Sequence, residues 1–160
     1  QHRTKAAEAF SVLAMDLDSF KPINDMFGHD TGDRVLREVA QRLNEQMRDG
    51  DVLARVGGDE FVAIVHRNGN REALAILAQD LITTVRAPLK STDGVINVDI
   101  SIGIVPDGSL VPSGTALKLA DRALYDAKRL SAGAFCFSGD DAPKKFAPKP
   151  ETRPARRRIG

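Results

Sequence analysis

A chain of 160 residues, 42% apolar and 28% charged, has the size and balance of one globular domain with a single core. No apolar run nears the roughly 20 residues a membrane-spanning helix needs, and the polar start lacks the apolar stretch of a secretory signal. These features predict a cytoplasmic protein, or the cytoplasmic part of a membrane-anchored one, and the lone Cys136 excludes an internal disulfide.

Residues 1–9 are polar and Ala-rich and read as the end of a helix. Ser11-Val12-Leu13-Ala14-Met15 is an apolar run that predicts a first strand, closing on Asp16-Leu17-Asp18. Alternation along a strand puts Asp16 and Asp18 on one face and Leu17 on the other. Phe20 to Asp25 is expected as a loop or helical turn at the end of the sheet. Backbone N–H groups at such a place can cradle phosphate, and Lys21 can add a point charge. Gly28 and Gly32 punctuate the next loop, with Thr31 placed to cap a helix carrying Val35, Leu36, Val39, Leu43 and Met47 at helical spacing.

Val52-Leu53-Ala54 and Phe61-Val62-Ala63-Ile64-Val65 predict two strands joined through Arg55-Val56-Gly57-Gly58-Asp59-Glu60. The Gly-Gly pair predicts a two-residue hairpin with positive φ at its centre, followed by two adjacent carboxylates. If the first strand lies beside this hairpin, Asp16 and Asp59 converge on one divalent cation, and oxygen-only ligands of this kind suit Mg²⁺. A solvated acidic tip is the plain alternative for such a hairpin taken alone. A second helix is predicted over Arg71–Arg86, with Ala73, Leu77, Leu81 and Val85 on its buried face and Pro88 ending it. Val95 to Val105 reads as one strand or a bent one, Thr115 opens a third helix to about Leu130, and Ala134–Phe137 closes the sheet, with Cys136 as a small core residue. The fold class expected from this order is α+β, a mainly antiparallel central sheet flanked by helices.

The tail differs in kind. Residues 144–160 hold seven Lys or Arg against one acid, leaving 16 basic and 21 acidic residues, a net −5, in residues 1–143. Pro148, Pro150 and Pro154 rule out a continuous helix there, so 141–160 reads as a basic linker or tail. Without interleaved aromatic residues it is not expected to bind nucleic acid.

Several of these segments together resemble one family. Asp16-Leu17-Asp18-Ser19-Phe20-Lys21-Pro22-Ile23-Asn24-Asp25, Phe27-Gly28-His29-Asp30, Gly32-Asp33, Arg55 to Phe61, Ser101-Ile102-Gly103-Ile104 and Ala120 to Lys128 are similar, in that order, to the motifs of the GGDEF family of diguanylate cyclases. The resemblance runs from about Phe10 to about Phe137. It implies a domain over 1–140 with a ferredoxin-like core like the palm of nucleotide polymerases and class III nucleotidyl cyclases. The family's segment before the first strand is expected to be missing.

The implied reaction condenses two GTP molecules into cyclic di-GMP and two pyrophosphates, each domain of a homodimer holding one GTP. The resemblance implies two Mg²⁺ (or Mn²⁺) ions per site, held by Asp16, the Leu17 carbonyl, Asp59 and Glu60, with Glu60 also the general base. Asn24 and Asp33 would read guanine, with Leu36 near the base. Lys21, Lys118 and Arg122 would hold the phosphates, Lys21 serving catalysis as well, and Phe20 is counted among the substrate-binding residues. His29 is either near substrate or structural. Arg48 and Asp51 match the family's Arg-x-x-Asp product-inhibition site, whereas the companion arginine of some members aligns with Gln79. Ser19 and Pro22 depart mildly from the pattern. The second reading is a non-catalytic module that binds GTP or cyclic di-GMP and regulates an attached sensory or phosphodiesterase domain.

Overall fold

Strand β1 (Ser11–Asp18) occupies the middle of a five-stranded sheet in the computed structural model, which describes residues 8–92 and 94–140. The predicted tail at 141–160 and the start at 1–7 lie outside the described residues. In chain order β1 is followed by α1 (Phe20–Phe27), α2 (His29–Glu45), β2 (Val52–Arg55), β3 (Glu60–Val65), α3 (Arg71–Arg86), β4 (Leu89–Ser91), β5 (Gly94–Ile96), β6 (Asp99–Val105), α4 (Ala116–Leu130) and β7 (Phe135–Phe137), with one 3₁₀ turn at Gly108–Leu110. The sheet order is β2-β3-β1-β6-β7, antiparallel throughout except for the parallel β6–β7 pair.

Alternation along β1 divides the core between the two faces of the sheet. Leu13, Met15 and Leu17 join Phe61, Ala63 and Val65 of β3 and Ile100, Ile102 and Ile104 of β6 in one buried cluster. Helices α2 and α3 complete it with Val35, Leu36, Val39 and Leu43 and with Leu74, Leu77, Leu81 and Val85. On the other face Val12, Ala14 and Val105 meet Ala120 of α4. Helix α4 lies hard against β6 at Gly103, where an added Cβ would overlap the Ala120 carbonyl oxygen and the Leu124 backbone nitrogen. Backbone cannot yield there as a side chain could. Cys136 is buried in a small cluster under α4, and burial, with Asp126 and Asp140 adding to it, pushes its thiol up to about 11. It stays a protonated core residue at neutral pH.

Local structure departs from expectation at four places. The stretch after β1 is a full helix, α1, entered through Ser19 at φ 59°. Helix α2 begins at His29 behind Gly28 (φ 86°), so Thr31 lies inside it and caps nothing. The Gly-Gly turn is a three-residue connection, closed by Val56 N–H donating to the Glu60 carbonyl at 3.0 Å, and neither Gly57 nor Gly58 is left-handed. The run Val95–Val105 is split: β5 turns back on β4 as a separate two-stranded ribbon, and only Asp99–Val105 joins the main sheet. Asn70 caps α3 as a short polar side chain can, its Oδ1 accepting from Ala73 N–H at 3.0 Å.

Candidate active site

The register of β1 against β3 pairs Asp16 with Glu60. Directly opposed residues of an antiparallel pair point to the same face with Cβ atoms about 5 Å apart, and like charges there repel. Asp59, one residue earlier, ties the turn to β1 by accepting from Leu17 N–H at 3.1 Å through its carbonyl. Three carboxylates are thus delivered to one end of the sheet by backbone pairing alone. Gly57 makes room: a Cβ there would stand 3.0 Å from Glu60 Oε2, so the Glu60 carboxylate folds back over the bare glycine. Arg55 stiffens the turn, its Nε donating to the carbonyls of Gly57 (3.1 Å) and Gly58 (2.9 Å).

Lys128, on the last turn of α4, partly offsets this concentration of charge. Its Nζ is 2.7 Å from Asp16 Oδ2 and 4.0 Å from Asp18 Oδ1. The second oxygen of Asp16, Oδ1, is buried and has no hydrogen-bond partner among the described residues. Burial drives the Asp16 carboxyl above its ordinary range; the Lys128 ammonium pulls it down, and Asp59 and Glu60 push it up again. Asp18 shares the face but is fully employed, accepting from Ser101 Oγ at 2.9 and 2.8 Å and from Gly133 N–H at 3.0 Å. It anchors β1 to β6 and to the turn before β7.

A cleft of about 280 Å³ opens beside the carboxylates, lined among others by Asp16, Glu60, Val56, Tyr125 and Lys128. Among the described residues no three His, Cys, Asp or Glu side chains form a ready metal cage. A buried carboxylate oxygen without a partner, facing a second carboxylate across the strands, is nonetheless a donor set that fits Mg²⁺. That ion commonly takes only one or two carboxylates and completes its shell with water and substrate phosphates.

The other expected contacts fall in two groups. Asn24 on α1 lies over Gly32, where a Cβ would overlap its Oδ1, and Asp33 is the next residue along α2. The α1–α2 corner therefore sets Asn24 against Gly32, the residue before exposed Asp33, with exposed His29 and Lys21 nearby in the chain. Phe20 is buried and its ring also touches the Gly32 position. Leu36 is 3% exposed and belongs to the main core. Lys118 and Arg122 stand exposed on α4, outside the lining of the cleft, with Arg122 Nε 3.7 Å from Asp126 and its guanidinium 5.9 Å from the Tyr125 ring centre.

Arg48 and Asp51 close one turn, with Arg48 N–H donating to Asp51 Oδ2 at 2.8 Å and Asp51 N–H donating to the Arg48 carbonyl at 3.0 Å. The Arg48 side chain is exposed. Asp51 is not free: Arg67 grips both its oxygens at 3.0 and 2.8 Å, and His66 N–H adds a bond at 3.1 Å. Sequence reasoning missed Arg67, Arg55 and the contact made by Lys128. Of these, Arg55 and Lys128 had a signal, as the first residue of the motif Arg55 to Phe61 and the last of the motif Ala120 to Lys128.

The family model for the diguanylate cyclase GGDEF domain matches residues 1–133. This chain belongs to the GGDEF family. It is 38% identical over 129 residues to the bifunctional diguanylate cyclase/cyclic di-GMP phosphodiesterase MucR of Pseudomonas aeruginosa, covering 80% of this chain and 19% of MucR. It is 37% identical over 130 residues to the diguanylate cyclase TpbB of the same species, covering 79% of this chain and 30% of TpbB. This GGDEF chain therefore spans well under half the length of these curated relatives. Its fold matches the crystal structure of the TpbB GGDEF domain with a TM-score of 0.74 at 33% identity, over 84% of each chain. It matches the GGDEF domain of DgcB from Caulobacter crescentus, solved in complex with cyclic di-GMP, with a TM-score of 0.76 at 26% identity, over 82% of this chain and 79% of that one. The five-stranded sheet and its helices are thus the palm-like nucleotidyl cyclase fold expected from the motifs. No helix among the described residues is long and apolar enough to cross a membrane.

Proposed function

We propose that this GGDEF domain is a diguanylate cyclase, joining two GTP molecules into cyclic di-GMP with release of two pyrophosphates when two copies meet. The observation that carries this reading is the Asp16–Glu60 pair across β1 and β3, with Asp16 Oδ1 buried and unpartnered. Asp16, Asp59, Glu60 and the Leu17 carbonyl would hold two Mg²⁺ (or Mn²⁺) ions. Such ions neutralise phosphate charge and lower the pKa of a coordinated hydroxyl.

The chain's own residues do the positioning. Asn24 and Asp33 hydrogen-bond the guanine edge, Asp33 accepting from its N1–H and amino group, while His29 and Leu36 border the base. Phe20 supports the α1 corner. Lys21, Lys118 and Arg122 hold phosphate oxygens by charge-assisted hydrogen bonds. Glu60 takes the proton from the ribose 3′-OH as that oxygen attacks the α-phosphorus in line and pyrophosphate leaves. In-line phosphoryl and nucleotidyl chemistry asks chiefly for alignment and charge neutralisation, which matches a site made of carboxylates and cations. The domain works in the cytoplasm as part of a longer protein, joined to a sensory or a phosphodiesterase part, as the double name of MucR illustrates.

The test is a chromatographic assay of the purified chain with GTP and Mg²⁺ over a range of protein concentrations. Cyclic di-GMP should appear at a rate rising faster than linearly with protein. Binding of GTP or cyclic di-GMP without turnover would establish the regulatory module instead.

Product inhibition is assigned to Arg48, with Asp51 setting the shape of its turn rather than reading guanine, since the Asp51 carboxylate is already filled. Arg48→Ala is expected to leave the initial rate unchanged and to weaken inhibition by cyclic di-GMP at least tenfold. Equal inhibition of the variant and the parent would remove this site.

A further inference from the structure

A second cleft, of about 390 Å³, opens between α2 and the β4–β5 ribbon, away from the carboxylates. Its floor is apolar, made by the buried side chains of Val35, Leu89 and Ile96. Its rim is cationic: Arg34, Arg37 and Arg42 from α2 and Lys90 from the ribbon, against the single acid Glu38 among the described residues. Glu38 is already paired with Arg42 at 3.3 Å. Arg42 in turn is spent on structure, donating to the carbonyls of Thr84 (3.2 Å), Val85 (3.3 Å) and Ala87 (2.6 Å) at the end of α3. Arg34, Arg37 and Lys90 are exposed and engage no partner among the described residues. The imbalance runs against the balance of the described residues as a whole, which carry 14 basic and 19 acidic side chains.

We infer that this cleft binds a phosphate-bearing small molecule, its phosphates against Arg34, Arg37 and Lys90 and its apolar or planar body on Val35, Leu89 and Ile96. Guanidinium forks and an ammonium with no acid among the described residues to satisfy them suit a group with several charged oxygens. The volume lies in the range of roughly 300–1,000 Å³ typical of small-ligand sites, and an apolar floor with a few convergent polar groups is their usual make-up. Nucleotides have this chemistry. Arg34 follows Asp33 directly, so a ligand in this cleft touches the first turns of α2, the helix proposed above to read guanine. The assignment does not depend on that proposal.

The test is calorimetric titration of the chain with ADP in the presence of a chelator, so that the carboxylate cluster takes no metal. One saturable site is expected. Its affinity should fall at least tenfold in Arg34→Ala/Arg37→Ala, severalfold in Lys90→Ala, and not at all in Asn24→Ala/Asp33→Ala. All of these side chains except the half-buried Asn24 are exposed, and equal melting temperatures verify that the rim variants fold. Inorganic pyrophosphate should bind more weakly than ADP because it leaves the floor bare. The inference is overturned by no saturable binding, by binding lost through Asn24 and Asp33 instead of Arg34 and Arg37, or by pyrophosphate binding as tightly as ADP.

Discussion

Asp16→Asn is expected to cut cyclic di-GMP formation at least about 10²- to 10³-fold, the scale on which one preorganised charge-stabilising group acts, while leaving the fold intact. The amide keeps an oxygen to accept from Lys128, whose Nζ now sits 2.7 Å from Asp16 Oδ2, and it removes a negative charge from opposite Glu60. The loss would therefore be one of chemistry rather than folding, and melting of the metal-free protein separates the two. Burial, reinforced by Asp59 and Glu60 and opposed by Lys128, raises the Asp16 pKa, so the folded chain binds that proton more tightly than the unfolded one. Metal-free stability should then fall as pH rises from the ordinary carboxylate value through the raised one, and the Asn variant should lack that contribution. Turnover at the parent rate would sink the assignment of Asp16.

Arg67→Met carries the largest expected cost in stability, about 3–5 kcal/mol, because it strands a buried carboxylate. The side chains of Arg67 and Asp51 are only 4% and 1% exposed, and the guanidinium supplies two of the four hydrogen bonds that Asp51 accepts. Burial would raise the Asp51 pKa, but the Arg67 guanidinium and the N–H groups of Arg48 and His66 together outweigh it and hold the carboxyl below its ordinary range. A depressed pKa contributes stability above the unfolded value and loses it as pH falls through the folded one. Urea unfolding at neutral pH and in acid should show a large deficit at neutral pH that narrows in acid. A deficit under about 1 kcal/mol at neutral pH would mean that water or a neighbour replaces the arginine.

What the chain alone disclosed follows the range of the forces involved. Continuous apolar runs locate β1, buried on both faces, and β3, and a period of 3.6 locates α2 and α3, whose one buried face imposes it. The motif order was also enough to bring Asp16 beside the Gly57–Glu60 turn, and the observed register does so. The β4–β5 ribbon escaped because its strands are three residues long, too short for a periodic signal. The turn escaped because a Gly-Gly pair permits positive φ without requiring it; here Gly57 leaves room for the Glu60 carboxylate, 3.0 Å from where a Cβ would stand. Arg67 and Lys128 were illegible in their contacts because each partner is distant in the chain, and local pattern says nothing about which distant acid a cation will meet.

The missing methyl at Gly103 has a further consequence. With Ala120 and Leu124 backbone seated where a side chain would be, α4 has no slack to slide along β6 or roll upon it. Lys118, Arg122 and Lys128 ride on that helix, and Asp16 and Glu60 on the strands beneath, so cations and carboxylates form one rigid block with a constant spacing. Under the proposed function, control over such a block would be exerted from outside: by how often, and at what angle, two of them come face to face.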